Sequence, residues 1–212
     1  NFTITVNPEM IVNAISSQVL CNNASTTAVN FASPTTGGTI VYNWTNSNTA
    51  IGLAASGSGN IASFTATNSS NAPVSGTITV IATYTNAGIS CTSAPQTFAY
   101  TVNPTATVNA INNQAVCNGA AVTAVNFATT ATGGTVTYAW TNSNSTIGLS
   151  ASGSGNIASF TATNNGTAPV TATITVTPTF TNDGVSCQGT AQTFTITVNP
   201  TATVNAISNQ AL

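Results

Sequence analysis

The chain has 212 residues, of which two are acidic and none is Lys, Arg or His, while 42% are hydrophobic. General acid–base catalysis relies mainly on His, Lys or paired carboxylates, and Glu9 and Asp183 lie far apart in the sequence. We therefore expect no enzyme, no catalytic or metal-binding residue and no cofactor. Nucleic acid is excluded as a partner because Lys and Arg supply most of the affinity for phosphates. No segment approaches the roughly 18–20 consecutive apolar residues that span a bilayer, so we expect no membrane insertion.

The sequence repeats with a period of 96 residues, and about two-thirds of the aligned positions are identical. We interpret 9–104 as the first repeat and 105–200 as the second. Residues 1–8 match 97–104 and 193–200, which predicts the last strand of a preceding repeat. Residues 201–212 match 105–116, which predicts the first strand of a following repeat. The chain is thus expected to be a window on a longer array.

Short strands with apolar residues at every second position are predicted along each repeat. The alternation is clearest in the second repeat. Turn residues separate the later strands at Asn165-Gly166 and Asp183-Gly184, where tight hairpins require residues that tolerate positive φ. In chain order, the predicted strands of the second repeat are 108–111, 122–127, 136–140, 157–163, 170–180 and 194–198.

The alternation predicts an all-β fold in which two sheets pack face to face, about 10 Å apart. Trp44 and Trp140 are expected to be core anchors, together with Tyr42 and Tyr138, because each Trp alternates with its Tyr along one strand. Stacking of the Trp rings on a sugar is the alternative interpretation.

The joints between repeats are predicted to be short and stiff. The last strand of each repeat leads directly into the next repeat through Asn103-Pro104 and Asn199-Pro200. Proline fixes φ and biases the preceding residue toward extended geometry. We therefore expect the sandwiches to be arranged as a rod, with neighbouring repeats of the same chain as partners.

Four cysteines, an even number without metal-ligand spacing, indicate disulfide bonds. Their positions are Cys21, Cys91, Cys117 and Cys187. Within each repeat the two cysteines are 70 positions apart, and closing such a loop stabilises by roughly 4–5 kcal/mol. We expect the pairs Cys21–Cys91 and Cys117–Cys187, and hence an oxidising compartment. Four buried free thiols remain the alternative.

Several segments resemble the PKD-like, immunoglobulin-like repeats of very large surface proteins of Bacteroidota, and the resemblance covers the whole chain. In the second repeat these segments are Tyr-Ala-Trp-Thr-Asn-Ser-Asn (138–144), Gly-Ser-Gly-Asn-Ile-Ala-Ser-Phe-Thr-Ala-Thr-Asn (153–164) and Phe-Thr-Ile-Thr-Val-Asn-Pro (194–200). The Gly-Asp-Gly that follows Trp in ordinary PKD domains is absent and is replaced by Thr-Asn-Ser-Asn, so no acidic or ion-related property of that loop is carried over.

The resemblance implies export by the type IX secretion route and display at the cell surface as adhesin filaments, such as those of gliding motility. We therefore expect an extracellular stalk segment. Two alternatives remain open. Recurrent Thr-x-Thr pairs could contact glycans or ice, and exposed strand edges without Lys could support lateral self-association into a fibre. The Thr-x-Thr pairs are Thr3/Thr5, Thr65/Thr67, Thr77/Thr79, Thr161/Thr163, Thr171/Thr173/Thr175 and Thr195/Thr197.

Overall fold

The computed structural model describes residues 2, 4 and 6–205, and the chain divides into two compact units. Unit 1 comprises Asn1–Thr105, Ala131–Thr135 and Phe180–Cys187, and unit 2 comprises Ala106–Thr130, Val136–Thr179 and Gln188–Leu212. Unit 1 therefore contains two short segments that belong by sequence to the second repeat. The terminal strands predicted at 1–8 and 201–212, and the pair Thr3/Thr5, fall partly or wholly outside the described residues. The described residues of 1–8 and 201–205 are not in strands.

The first repeat folds around one sheet of six strands. These are β1 (Gln18–Cys21), β2 (Thr39–Asn46), β3 (Ser56–Ser58), β4 (Val74–Asn86), β5 (Ile89–Thr92) and β6 (Gln96–Asn103). The order across the sheet is β1-β6-β4-β2-β3, and β5 pairs with the end of β4. The β1–β6 pair is parallel, and the other pairs are antiparallel.

The second repeat has the same sheet. Its strands are β7 (Gln114–Cys117), β8 (Ala121–Val122), β9 (Thr135–Asn142), β10 (Ser152–Ser154), β11 (Phe160–Thr161), β12 (Val170–Asn182), β13 (Val185–Gln188) and β14 (Gln192–Asn199). The order is β10-β9-β12-β14-β7, with β13 on β12 and with β7 parallel to β14. Strands β8 and β11 form a separate antiparallel pair.

Strict alternation along the long central strand of each sheet forms one wall of the core. In β12, Ala172, Ile174 and Val176 are fully buried, whereas Thr171 and Thr173 are exposed. Successive side chains of a strand point to opposite faces, so the apolar residues line the core and the threonines cover the outer face. Burial of each such Ile or Val stabilises by roughly 1.5–3 kcal/mol.

Extended segments with short ladders form the layer opposite the sheet. In the first repeat, Val29 and Ile61 exchange two backbone hydrogen bonds of 2.8 and 3.0 Å, and the Thr26 amide donates to the Phe64 carbonyl at 2.9 Å. Val29 and Ile61 are buried and pack against the main sheet. The immunoglobulin-like β-sandwich fold predicted from the sequence is thus confirmed, with one regular sheet and one less regular layer per repeat.

Some predicted strands differ from the structure. The prediction of a strand at 108–111 is wrong, because the backbone of these residues pairs with no other strand. Val108 is nevertheless buried, and β7 begins further on at Gln114. The strands predicted at 122–127 and 157–163 shrink to β8, β11 and a single bridge between Val125 and Ile157. Apolar alternation therefore reports burial even where backbone pairing is sparse.

The hairpin turns follow the predicted chemistry in part. Asp183 and Gly184 join β12 to β13 with φ of 47° and 75°. Ala87 occupies the equivalent place in the first repeat, with a φ of 49°. Asn165-Gly166 lies in the loop before β12, with both residues outside the positive-φ region. Among the described residues the helical structure is limited to two short 3₁₀ turns, Thr49–Ile51 and Ser145–Ile147, and no helix there has the length and hydropathy of a membrane span.

Asparagine side chains fasten the loops to the sheets. In the second repeat, the Asn142 amide donates to the Leu149 carbonyl at 3.0 Å, and the Asn164 amide donates to the carbonyls of Ala168 and Val198 at 2.9 and 2.8 Å. The first repeat makes the same bonds from Asn46 and Asn68. All four of these asparagines are buried. Their hydrogen bonds add stability because a buried amide without a partner would cost about 1–3 kcal/mol.

Candidate cross-linking site

The feature of this chain with the most distinctive chemistry is a disulfide bond inside unit 1. It joins Cys21, at the end of β1, to Cys187, on β13, over a sequence separation of 166 residues. The two Cα atoms are 5.4 Å apart, within the range that a disulfide requires. The bond therefore links a residue of the first sequence repeat to a residue of the second.

The predicted pairing of Cys21 with Cys91 and of Cys117 with Cys187 is wrong. Cys21 lies opposite Asn103 in the β1–β6 register, directly after the pair of Val102 with Val74 at the start of β4. Cys91 lies opposite Tyr84, near the other end of β4. More than ten residues of strand therefore separate Cys21 from Cys91 along the sheet, which is at least roughly 33 Å at about 3.3 Å per residue. A disulfide cannot span that distance. The second repeat has the same strand order, so the same argument applies to Cys117 and Cys187.

Cys91 and Cys117 are free thiols. Cys91 is half-buried on β5, and Cys117 is exposed at the end of β7, where it lies opposite Asn199. Neither has a basic neighbour, because the chain contains no Lys, Arg or His. Among the described residues no cluster of three or more His, Cys, Asp or Glu side chains could hold a metal ion.

A polar cluster centred on Asn103 accompanies the disulfide. Asn103 is fully buried, and its Oδ1 accepts a hydrogen bond from the side-chain amide of Asn182 at 3.1 Å. The Asn103 carbonyl accepts a bond from the Asn22 backbone amide at 3.0 Å, directly beside Cys21. The Asn22 side chain in turn donates to Thr105 Oγ1 at 3.1 Å. All these residues belong to unit 1, so neutral hydrogen bonds hold both ends of the disulfide in place.

The residues predicted as joints differ in their surroundings. Asn103 and Pro104 are buried, whereas Asn199 is exposed and Pro200 is half-buried. The role of Asn103 in the cluster was not foreseen, and the signal available in the sequence was its recurrence as Asn7 and Asn199. The stiffness expected of these joints stays a prediction.

The Trp residues predicted as core anchors lie inside their sandwiches, with 8% of Trp44 and 7% of Trp140 exposed. Trp44 lies opposite Gly57 in the β2–β3 register, and Trp140 lies opposite Gly153. A Cβ at Gly57 would come within 2.6 Å of Trp44 Cε2, so only glycine leaves room for the ring. Because each ring is covered, it has no exposed face on which a sugar could stack.

The neighbouring Tyr residues are half-buried. Tyr42 packs against Phe31 and Tyr138 against Phe127, each with ring centroids 5.5 Å apart. Partial burial raises the pKa of both phenols above its usual value because the charged form loses hydration. Both Tyr side chains thus contribute packing to the core edge.

Comparison with known proteins finds distant structural similarity. No family model and no curated protein matches the chain. Among solved structures it is similar to human protocadherin-24 EC1-2, with 15% identity, a TM-score of 0.46, and coverage of 94% of this chain and all of that one. It is also similar to a variant three-immunoglobulin structure of titin, with 12% identity and a TM-score of 0.43, covering 92% of this chain and 65% of that one. A third similar structure contains the tandem Ig repeats of Dlar, with 10% identity, a TM-score of 0.25, and coverage of 91% and 99%.

Proposed function

We propose that this chain is a stalk segment of a large extracellular adhesin, in which the repeats hold an adhesive region away from the cell surface. The observation that carries the proposal is the disulfide between Cys21 and Cys187, because it connects successive sequence repeats by a second covalent route besides the backbone. A bond of that kind resists extension of the chain and contributes nothing to catalysis. The segment has a mechanical role and no enzymatic one.

The positions of the two carboxylates support a passive role. Asp183 occupies the exposed turn between β12 and β13, and Glu9 is exposed just before the buried Met10. In the repeat alignment, Thr105 stands where the first repeat has Glu9, and Ala87 stands where the second has Asp183. Bound Ca²⁺ requires six to eight oxygen ligands, usually with several carboxylates. The repeat plan thus provides no calcium site at its joints.

The disulfide also supports an extracellular location, because such bonds persist in oxidising environments. The resemblance of the sequence to PKD-like repeats of Bacteroidota adds the finer part of the proposal, which is export by the type IX route and a place in a surface filament of the gliding-motility kind. Neighbouring repeats of the same protein are its principal partners.

Antibodies against the chain test this proposal on cells that produce the parent protein. A stalk segment predicts labelling of intact cells, and protease treatment of intact cells should remove the label. Labelling that requires permeabilisation would contradict the proposal. An antibody against a cytoplasmic protein is the control for cell integrity.

A second candidate function is recognition of a regular surface by the outer face of the sheet. Three rows of paired threonines cross β12 and β14 in the second repeat, and the Oγ1 atoms of Thr171 and Thr197 are 2.9 Å apart. The other two rows pair Thr173 with Thr195 and Thr175 with Thr193. Thermal hysteresis or glycan-array binding by the chain would support recognition, and loss of that signal in the variant Thr173→Lys would locate it on this face. Absence of both signals would leave the stalk as the function.

A further inference from the structure

The geometry points to a continuous series of disulfides along an array of these repeats, in which the cysteine that ends the first strand of each repeat bonds to the cysteine on the hairpin of the next repeat. Cys117 of this chain would then bond to the counterpart of Cys91 in the following repeat. Cys91 would bond to the counterpart of Cys117 in the preceding repeat. The inference rests on the proposed function, because it requires an array.

Sequence equivalence is the first step. Cys117 lies 96 residues after Cys21, and Cys91 lies 96 residues before Cys187. The bonded pair therefore consists of one cysteine of each type, taken from successive repeats, and each free thiol is the counterpart of one bonded partner.

The surroundings of Cys21 are reproduced around Cys117. Cys21 lies opposite Asn103, and Cys117 lies opposite Asn199, at the same place in a parallel strand pair. The following residue donates its backbone amide to that asparagine carbonyl in both repeats, at 3.0 Å from Asn22 and at 2.9 Å from Asn118. The side chain of Asn118 also binds Thr201 Oγ1 at 3.0 Å, as that of Asn22 binds Thr105. Cys117 is thus presented in the same local structure as the bonded Cys21.

The surroundings of Cys187 are reproduced around Cys91. The amide of Asn182, at the end of β12, donates to Asn103 Oδ1 at 3.1 Å, and Asn103 is the residue that lies opposite Cys21. In the first repeat, the amide of Asn86 donates to Asn7 Oδ1 at 3.2 Å. Asn7 is the residue that stands 96 positions before Asn103. A cysteine opposite Asn7 in a preceding repeat would therefore face Cys91 as Cys21 faces Cys187.

Exposure agrees with this assignment. Cys187, which has its partner, is only 3% exposed, whereas its counterpart Cys91 is half-buried and Cys117 is exposed. Both free thiols are accessible to a partner. Formation of the bond removes two protons and two electrons from the thiols, and a disulfide oxidant accepts them. With oxidised glutathione as that oxidant, two molecules of reduced glutathione are released.

Two single variants test the pairing. Cys91→Ser keeps the Cys117 thiol, and Cys117→Ser keeps the Cys91 thiol. In a buffer of reduced and oxidised glutathione, their mixture should form a disulfide-linked dimer in which mass spectrometry finds the Cys117–Cys91 peptide. Each variant alone should remain largely monomeric. Equal yields of like-with-like and mixed dimers would overturn the series.

A longer chain tests the series without relying on association in solution. Two copies are joined in register, with residue 200 of the first followed by residue 9 of the second. The series predicts that two free thiols remain under denaturing conditions, as in the present chain. Four free thiols would overturn it, because each half would then have formed its own bond alone. That outcome would leave the stalk proposal standing, since labelling of intact cells tests it separately.

Discussion

Reduction of the Cys21–Cys187 bond should greatly increase the length to which the chain extends under force. The bond closes a loop of 166 residues in a chain of 212. A fully extended residue spans about 3.3–3.6 Å. The bond therefore withholds roughly 550–600 Å of chain from extension.

Single-molecule force spectroscopy measures this length directly, with the chain held at its two ends. In the oxidised chain, only the segments outside 21–187 can extend, because strands β2 to β12 lie between the bonded cysteines. After addition of a phosphine reductant, unfolding steps should appear whose contour lengths sum to about the withheld value. The double variant Cys91→Ser/Cys117→Ser is the matched control, because it keeps the bond and should behave as the parent chain does.

The alternative pairing gives a different record. With bonds Cys21–Cys91 and Cys117–Cys187, the 26 positions between Cys91 and Cys117 would be free to extend while the chain is oxidised. That segment would contribute roughly 85–95 Å. A total extension without reductant that exceeds the length of the segments outside 21–187 by that amount would refute the bond between repeats.

Three further changes test the packing. Asn103→Ala should lower the free energy of unfolding in urea by about 1–3 kcal/mol, because it removes the hydrogen bond that the half-buried Asn182 amide donates to the buried Asn103 side chain, whereas Asn199→Ala at an exposed site should change it by less than about 0.5 kcal/mol. Tyr100→Phe should stabilise by about 1 kcal/mol, because the buried Tyr100 hydroxyl has no hydrogen-bond partner among the described residues. Burial raises the pKa of Tyr100 to about 12, so the parent chain should lose stability as pH rises from 10 to 12, and the Phe variant should lose less; equal losses would contradict the assignment. Ala87→Asp should raise the melting temperature, because Ala87 has a φ of 49° that Asp tolerates better, and a decrease would count against strain in this turn.

Strong alternation made the long strands of the sheets predictable. The strands predicted at 136–140, 170–180 and 194–198 are contained in β9, β12 and β14. β10 could not be foreseen, because its sequence Ser-Gly-Ser has no apolar residue. β13 was missed although the Asp183-Gly184 turn predicted a hairpin and therefore required a partner strand after it.

The disulfide pairing could not be read from the sequence, because it depends on which end of β4 each cysteine faces. That is decided by two long-range registers, Cys21 with Asn103 and Cys91 with Tyr84. The parallel pairing of β1 with β6 has no local signal. A partial signal existed, since Cys91 and Asn103 are separated by one strand length, β6, and must lie at opposite ends of the sheet.

Because neutral asparagine amides fasten the loops, we expect the stability of the fold to depend little on the salt concentration. Amide dipoles paired at 2.7–3.0 Å with buried carbonyls lie well inside the distance over which dissolved ions screen at physiological ionic strength, about 8 Å. Without Lys, Arg or His the chain has no side-chain cation to form ion pairs that salt could weaken. The unfolding free energy of these repeats should therefore depend little on the screening of charges by salt.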